Sequence, residues 1–332
     1  MDPLTHTLTG AALGRAGLNR WCPRALPLLL LAANAPDIDI VTAAGGELAY
    51  LDGHRHLTHA LVLAPLLAAA VAALVLFVRP GQIDRRRNWW RMWLVALVGV
   101  LTHLLLDWTN VYGIRLLLPF SAQWFRLDTV HIADPWIWMI LGLAFAVPFV
   151  SRLVSAEIGA KATPGRGAAI FALVLLFGYE AGRTQLHNRA VATLQSRLYA
   201  GAAPGRVIAL PDAVNPLRWT GLVETASFWS VQDVNLMGEF DPGAGRTLYK
   251  PDAVKALDDA AKTRTFERFL AFSQAAYWRV LPVEEPAQGV RVEALDLRFG
   301  MPARSRFCAS ALLDRNGTVL EQRFRFGPLL PE

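Results

Sequence analysis

Residues 57–78 read LTHALVLAPLLAAAVAALVLFV, 22 residues of which only Thr58 and His59 are polar. At about 1.5 Å of rise per residue, a helix of this length covers the roughly 30 Å hydrocarbon core of a bilayer. The stretch therefore predicts a membrane span. Working outward, residues 89–106, 135–151 and about 168–181 are further candidates. Two earlier apolar pieces, Leu4 to Leu18 and Ala25 to Ala35, fall short of about 30 Å as helices. They are expected to tilt, to dip into the membrane, or to pack as a recessed pair inside the bundle. The expected fold is mainly α, a polytopic transmembrane helical bundle over residues 1–182. A soluble, extramembrane α+β domain follows over residues 183–332.

The chain is 54% hydrophobic and carries a net charge of +6. The excess of Arg lies between apolar blocks and forms no single stripe with interleaved aromatics, so nucleic acid is not an expected partner. Arg15, Arg20 and Arg24 follow the first apolar piece. Arg79, Arg85, Arg86, Arg87 and Arg91 fill one loop, and Arg152, Lys161 and Arg166 another. The positive-inside rule puts these loops in the cytoplasm. Residues 37–56 and 107–134 then face the other side, as does the C-terminal domain. Trp89, Trp90, Trp93, Trp136 and Trp138 read as an interfacial aromatic belt. The two cysteines, Cys22 and Cys308, fall on opposite sides in this topology, which argues against a disulfide or a thiolate site. The first residues lack a charged segment followed by a long apolar core, so no cleavable signal peptide is expected.

Six of the seven histidines lie within the first 131 residues, near a set of aspartates. An ionisable group inside a membrane helix costs about 2.5–3.5 kcal/mol on insertion scales. Repeated use of the same two residue types there points to a built site. His103 and Asp107 stand four apart, on one helical face. The alternative reading of this pair is a hydrogen bond between packed helices. Asp37 and Asp39 follow Pro36 and suit a turn offering one or both carboxylates, or a solvated helix end. His56 and His59 share a helical face, so His54 can join His59 only from the preceding loop. His6 serves as a ligand or as a buried hydrogen-bonding group. Asp134 is a further candidate, whereas His131 and Asp128 read as exposed loop residues and His187 as structural. Imidazole with carboxylate suits a divalent transition metal, Zn first, with Mn or Fe as alternatives and one or two ions. The candidate ligands are His6, Asp37, His54, His59, His103, Asp107 and Asp134. Asp39 is the candidate general base, and Arg55 a clamp for an anionic substrate or an interfacial anchor.

Ordered short motifs run through this half: Met1-Asp-Pro-Leu-Thr-His6 with Gly10, Pro36-Asp-Ile-Asp39, His54-Arg55, Thr58-His59 and His103-Leu-Leu-Leu-Asp107. Asn110-Val-Tyr-Gly113, Leu118-Pro-Phe120 and Asp134-Pro135 complete the set. In this order they resemble the bacterial YdjM-type family of membrane-bound metal-dependent hydrolases. That resemblance implies a helical membrane protein with hydrolase chemistry and leaves the substrate open. The family has Gly at the position of His56, which speaks against His56 as a ligand. His103 and Asp107 also resemble one HxxxD element of the zinc-dependent phospholipase C and S1/P1-type nuclease group. A second such element is missing. The expected activity is metal-assisted attack of water on an ester or phosphoester, with membrane lipid as partner and a lipid-linked substrate fitting the depth of the site. The competing class is a non-enzymatic metal carrier or sensor, which should show polar residues spaced along a path through the membrane. A third reading makes the histidines and aspartates bundle-holding contacts only.

In the C-terminal part, residues 252–276 read as helix after Pro251. Alternation over Val290 to Ala294 and, one residue out of phase, over Leu295 to Phe299 predicts a bulge. Phe307 to Leu313 and Thr318 to Phe326 flank Asp314-Arg-Asn-Gly317, a hairpin signal.

Overall fold

A computed structural model gives the structure of the chain and describes residues 1–22, 24–78, 85–160, 165–283, 289–302, 305 and 307–326. Arg79 and Lys161 of the charged loops lie outside these residues. The chain divides into two compact units. The first comprises Met1–Asp39, Arg55–His187 and Pro211–Pro216. The second comprises Ile40–His54, Asn188–Leu210 and Leu217–Glu332.

Helix α1 (Pro3–Leu13) starts where Asp2 accepts from the Leu4 and Thr5 N–H groups, with Pro3 in the first turn. It runs through a π-type turn at Gly14–Leu18 into the short α2 (Asn19–Trp21). Next comes α3 (Ala25–Ala32), followed by a 3₁₀ stretch, Pro36–Gly45, bent from it by 40°. Pro36 supplies the break, because it disfavours helical backbone at Ala35 and has no N–H to donate. Helix α4 (Glu47–Gly53) belongs to the second unit. The long apolar run then opens as two 3₁₀ turns, Leu57–His59 and Leu61–Leu63. Regular helix begins only at α5 (Ala64–Val78), seven residues later than the apolar run implied. Pro65 in the first turn of α5 marks the start, where its missing N–H costs nothing. The bundle is completed by α6 (Arg85–Thr109), α7 (Pro135–Glu157) and α8 (Arg166–Gln195).

Among the described residues, four helical stretches are long and apolar enough to cross a membrane, Leu61–Val78, Asn88–Thr109, Pro135–Glu157 and Arg166–Gln195, or five if the bent pair around Pro36 counts as one span. The pieces that are too short to span, α1 and α3, pack inside. Leu28, Leu29 and Ala32 are buried against α5 and α6, and Ala12 against α7 and α8. Small residues set this approach. A Cβ added at Gly99 would meet the Ala32 Cβ at 2.8 Å, and one at Gly10 would meet the Leu29 carbonyl oxygen at 2.7 Å. Gly99→Val should therefore push α6 off the end of α3 and cost about 1–3 kcal/mol, read as a lower thermal unfolding midpoint in detergent. An unchanged midpoint would refute the close approach.

The second unit carries two four-stranded antiparallel sheets. One takes β1 (Arg206–Pro211), β2 (Arg218–Glu224), β3 (Phe228–Asn235) and β4 (Arg246–Tyr249) in chain order. Two helices follow, α9 (Lys255–Ala261) and α10 (Arg264–Phe272), where the sequence reads one. Thr263 divides them by accepting from the Phe266 N–H as an N-cap. The other sheet takes β5 (Ala276–Val283), β6 (Gly289–Asp296), β7 (Phe307–Leu313) and β8 (Val319–Phe326). The hairpin at Asn316-Gly317 is as expected, with Gly317 at φ +84°. The bulge expected near residue 295 is not formed. β6 is a central strand buried on both faces from Val292 to Asp296, so its alternation fades and the chain then leaves into a 3₁₀ turn. Cys308 is buried here, which pushes its thiol up to about 12 and leaves it inert as a nucleophile.

Helix α4 packs within this second unit, although it comes from the N-terminal half. Tyr50 stacks edge-on against Phe326, the Phe326 N–H donates to Glu47, and Arg268 pairs with Asp52 at 3.3 Å. Helix α8 likewise runs through residue 182 without a break. The two units are thus interleaved along the chain, and residue 182 does not divide them.

Candidate metal centre

Three elements bring four residues of the first unit together near the C-terminal end of α6. His103 and Asp107 lie one turn apart on that helix, both fully buried. His59 arrives on the 3₁₀ turn before α5, and Asp37 on the 3₁₀ stretch after Pro36. Asp37 Oδ1, His59 Nε2, His103 Nε2 and Asp107 Oδ2 face one another. The two imidazole nitrogens are 3.2 Å apart. His103 Nε2 is 3.3 Å from Asp107 Oδ2 and 3.6 Å from Asp37 Oδ1, and His59 Nε2 is 3.4 Å from each of the same oxygens. A tetrahedral ion with bonds of about 2.0–2.1 Å separates its ligand atoms by about 3.3–3.4 Å. The residues fit such an ion.

Their partners make Nδ1 the donating nitrogen in both rings. His103 Nδ1 lies 2.7 Å from the Ala33 carbonyl oxygen, which can only accept, so Nδ1 holds the proton and donates. His59 Nδ1 lies 3.0 Å from Asp39 Oδ2 and donates likewise. In the neutral rings both Nε2 atoms are then lone-pair donors aimed at two carboxylate oxygens in a buried space. Asp107 Oδ2 accepts no hydrogen bond from the described residues. Four electron-rich atoms at these separations repel unless a cation lies among them.

The surroundings hold this arrangement. Asp39 Oδ2 also accepts from the Arg55 N–H at 2.8 Å and the Thr58 hydroxyl at 2.8 Å. Asp107 Oδ1 accepts from the Met1 amino nitrogen, from Arg55 Nη2 at 3.0 Å and from Asn110 Nδ2 at 3.3 Å. One carboxylate oxygen is therefore saturated and the other is left for the cluster. Arg55 is itself buried. Its Nη1 donates to the Gly113 carbonyl oxygen at 2.9 Å and to Asn110 Oδ1 at 3.3 Å, and the guanidinium covers the Tyr112 ring. Gly113, at φ +88°, lets its carbonyl turn inward.

A model of the YdjM inner membrane protein family matches residues 1–189, more than half of the chain. The chain belongs to the YdjM inner membrane protein family. A model of the YfhP C-terminal alpha/beta plait domain matches residues 255–326 of this YdjM-family protein. The uncharacterized protein YfhP of Bacillus subtilis (strain 168) is 30% identical over 155 residues, 44% of this chain and 46% of that relative. The match thus spans less than half the length of the curated relative. No solved structure matches. Family and apolar helices together make this a membrane protein.

Within this YdjM-family protein, the remaining expected site residues lie as follows. His6 is fully buried beside the cluster, stacked on His103 with ring centroids 3.8 Å apart and its Nε2 3.5 Å from Asp107 Oδ1. Neither of its ring nitrogens has a hydrogen-bond partner among the described residues. Asp39 is not an uncommitted base, since its Oδ2 is held by three donors. Arg55 is turned inward onto Asp107, away from the role of substrate clamp. His54 belongs to the second unit, where its ring stacks on Tyr50 at 4.7 Å. Asp134 lies apart from the four, as the N-cap of α7. Its Oδ1 accepts from Trp136 and Ile137, and its Oδ2 from the Tyr179 hydroxyl. Asp134→Ala should therefore cost about 1 kcal/mol of stability as a lost cap and leave metal content unchanged by elemental analysis. Loss of metal would place it in the centre after all. Asp128 is buried and paired with Arg126 at 3.4 Å, contrary to its reading as an exposed loop residue. The sequence reading missed the Ala33 carbonyl, Thr58 and Asn110 as supports. Thr58 and Asn110 stood in quoted motifs, but a main-chain carbonyl leaves no signal in sequence.

Proposed function

We propose that this protein is a membrane-bound, metal-dependent hydrolase that cleaves an ester or phosphoester, lipid-linked, at the extracytoplasmic face. The observation that carries this reading is the set of four converging ligand atoms, with His59, His103 and Asp107 each held from behind. Asp37, His59, His103 and Asp107 hold the ion, with zinc favoured by two imidazoles and two carboxylates. Held by these four residues, a metal would supply Lewis-acid chemistry, lowering the pKa of a bound water and polarising the scissile group. Asp39 and the Ala33 carbonyl fix the tautomers of His59 and His103, as partners behind metal ligands do. Arg55 and Asn110 keep Asp107 turned with one oxygen toward the centre. Asp37 is the least buried of the four, its side chain 23% exposed, and marks the side on which substrate enters. Ile38, Leu57, Leu61 and Val62 are exposed beside Asp37 and His59, which favours a substrate presented at the level of the bilayer. The centre lies at the end of α6 away from Arg85 to Arg91, which the positive-inside rule puts outside the cytoplasm.

The test uses purified protein in lipid nanodiscs, stripped with chelator and reloaded with Zn, Mn or Fe. Phospholipids and soluble phosphodiesters serve as substrates. Hydrolysis should vanish on chelation, return with one of the metals, and stay absent in His59→Ala. Metal-loaded protein that binds its ion but turns over none of the panel faster than His59→Ala would overturn the enzyme reading in favour of a carrier or sensor.

A further inference from the structure

The end of the bundle away from the metal centre holds a cavity of about 590 Å³. Its wall carries Arg15 and Asn19 beyond α1, and Phe145, Pro148, Phe149 and Arg152 on α7. No carboxylate is among its described lining residues. The cavity follows from Pro148 inside α7. Pro148 has no N–H, so the carbonyl of Ala144, four residues earlier, loses its helical partner. Arg15 Nη1 donates to that carbonyl at 3.2 Å, and its guanidinium lies 4.5 Å from the centre of the Phe145 ring. Arg15 is thus anchored by one nitrogen and one face, which preorganises the rest of its fork at small entropic cost. Arg152 lies one helical turn beyond Pro148 on the same wall. Phe149, 63% exposed, supplies an apolar flank toward the lipid.

We propose that this cavity binds the headgroup of an anionic phospholipid, with Arg15 and Arg152 on the phosphodiester and Phe145 and Phe149 against the first acyl carbons. Its volume falls in the range of small-ligand sites, about 300–1,000 Å³. Basic pockets between membrane helices at the cytoplasmic leaflet suit this chemistry, because that leaflet carries the anionic lipid. The arginines of this end are sufficiently explained as topology signals only where they point into bulk solvent or headgroups at random. An arginine bound to a proline-freed carbonyl beside a second arginine and two aromatic rings forms a shaped site.

The test is native mass spectrometry of the full chain released from detergent with phosphatidylglycerol, phosphatidylcholine or inorganic phosphate added. The wild type should retain one phosphatidylglycerol selectively over phosphatidylcholine. Arg15→Gln with Arg152→Gln should weaken retention by about tenfold or more, as expected for two arginine contacts. Arg152→Gln alone leaves the Ala144 contact intact and should still weaken it, which guards against misfolding of the double variant. Arg20→Gln with Arg24→Gln removes the same charge at the same end and should change little. Equal loss in that control, or equal retention of phosphatidylcholine, would overturn the site. Displacement of the lipid by millimolar phosphate would reassign it to a free anion and overturn the lipid proposal.

Discussion

His103→Ala is expected to abolish metal binding. Protein purified without chelator and measured by elemental analysis should show a transition metal in the wild type and only background in the variant. The reason is geometric. His103 Nε2 shares three of the five close contacts of the cluster, with His59, Asp107 and Asp37. Its removal leaves three ligand atoms and a space where water enters, and frees the Ala33 carbonyl. A graded companion is Asp39→Asn, which keeps every ligand but weakens the hold on the His59 tautomer. Loss of such a supporting partner typically weakens metal affinity about 10- to 100-fold, which a chelator competition would resolve. Wild-type metal content in His103→Ala would sink the ligand assignment. Equal affinity in Asp39→Asn would show that Asp39 does not orient His59.

Arg55→Met should carry the largest stability effect. Arg55 and Asp107 are both buried and lie 3.0 Å apart, so the variant leaves a carboxylate in a dry environment with fewer donors. Removing one partner of a buried pair costs about 3–5 kcal/mol, because the remaining charge is stranded. In metal-free protein that cost should appear as a strongly lowered thermal unfolding midpoint. With metal bound it should shrink, because the ion then neutralises Asp107 from its other oxygen. Arg55→Lys should fall between, since an ammonium cannot reach Asp107, Asn110 and the Gly113 carbonyl together. A midpoint unchanged in metal-free Arg55→Met would show that Met1 and Asn110 suffice for Asp107. This effect differs from a substrate-clamp role, in which Arg55→Met would raise KM and leave stability alone.

Much of the candidate centre was legible because its strongest pair obeys a local rule. His103 and Asp107 share a helix face by spacing alone, and α6 forms around them. Asp37 and Asp39 were legible as residues of a break, since Pro36 ends α3 in any context. Their division of labour was not. Asp37 reaches the centre and Asp39 stands behind His59 because the chain there is 3₁₀, with its own angular step, and turns 40° at the break. His59 eluded the helical-face argument for the same reason, since residues 57–63 are not α-helical despite their composition. Asp134 looked like a ligand because residue type and proximity in sequence are blind to capping. The extension of the C-terminal unit into residues 40–54 was equally hidden, as it depends on Tyr50, Glu47 and Asp52 meeting residues more than 200 positions later.

By itself, the sequence determined that this chain is a helical membrane protein with a His/Asp set toward one end, an arginine-rich other end and an α+β unit after it. Hydrophobic length and charge placement act locally and leave direct marks in composition. Only the tertiary structure decided which four side chains face a common point, which nitrogens carry protons, and which arginine is turned inward. Those outcomes depend on approaches such as Gly99 against Ala32 and on a carbonyl freed by a helix end, contacts between elements distant in sequence. Such contacts are set by packing, which no spacing along the chain encodes.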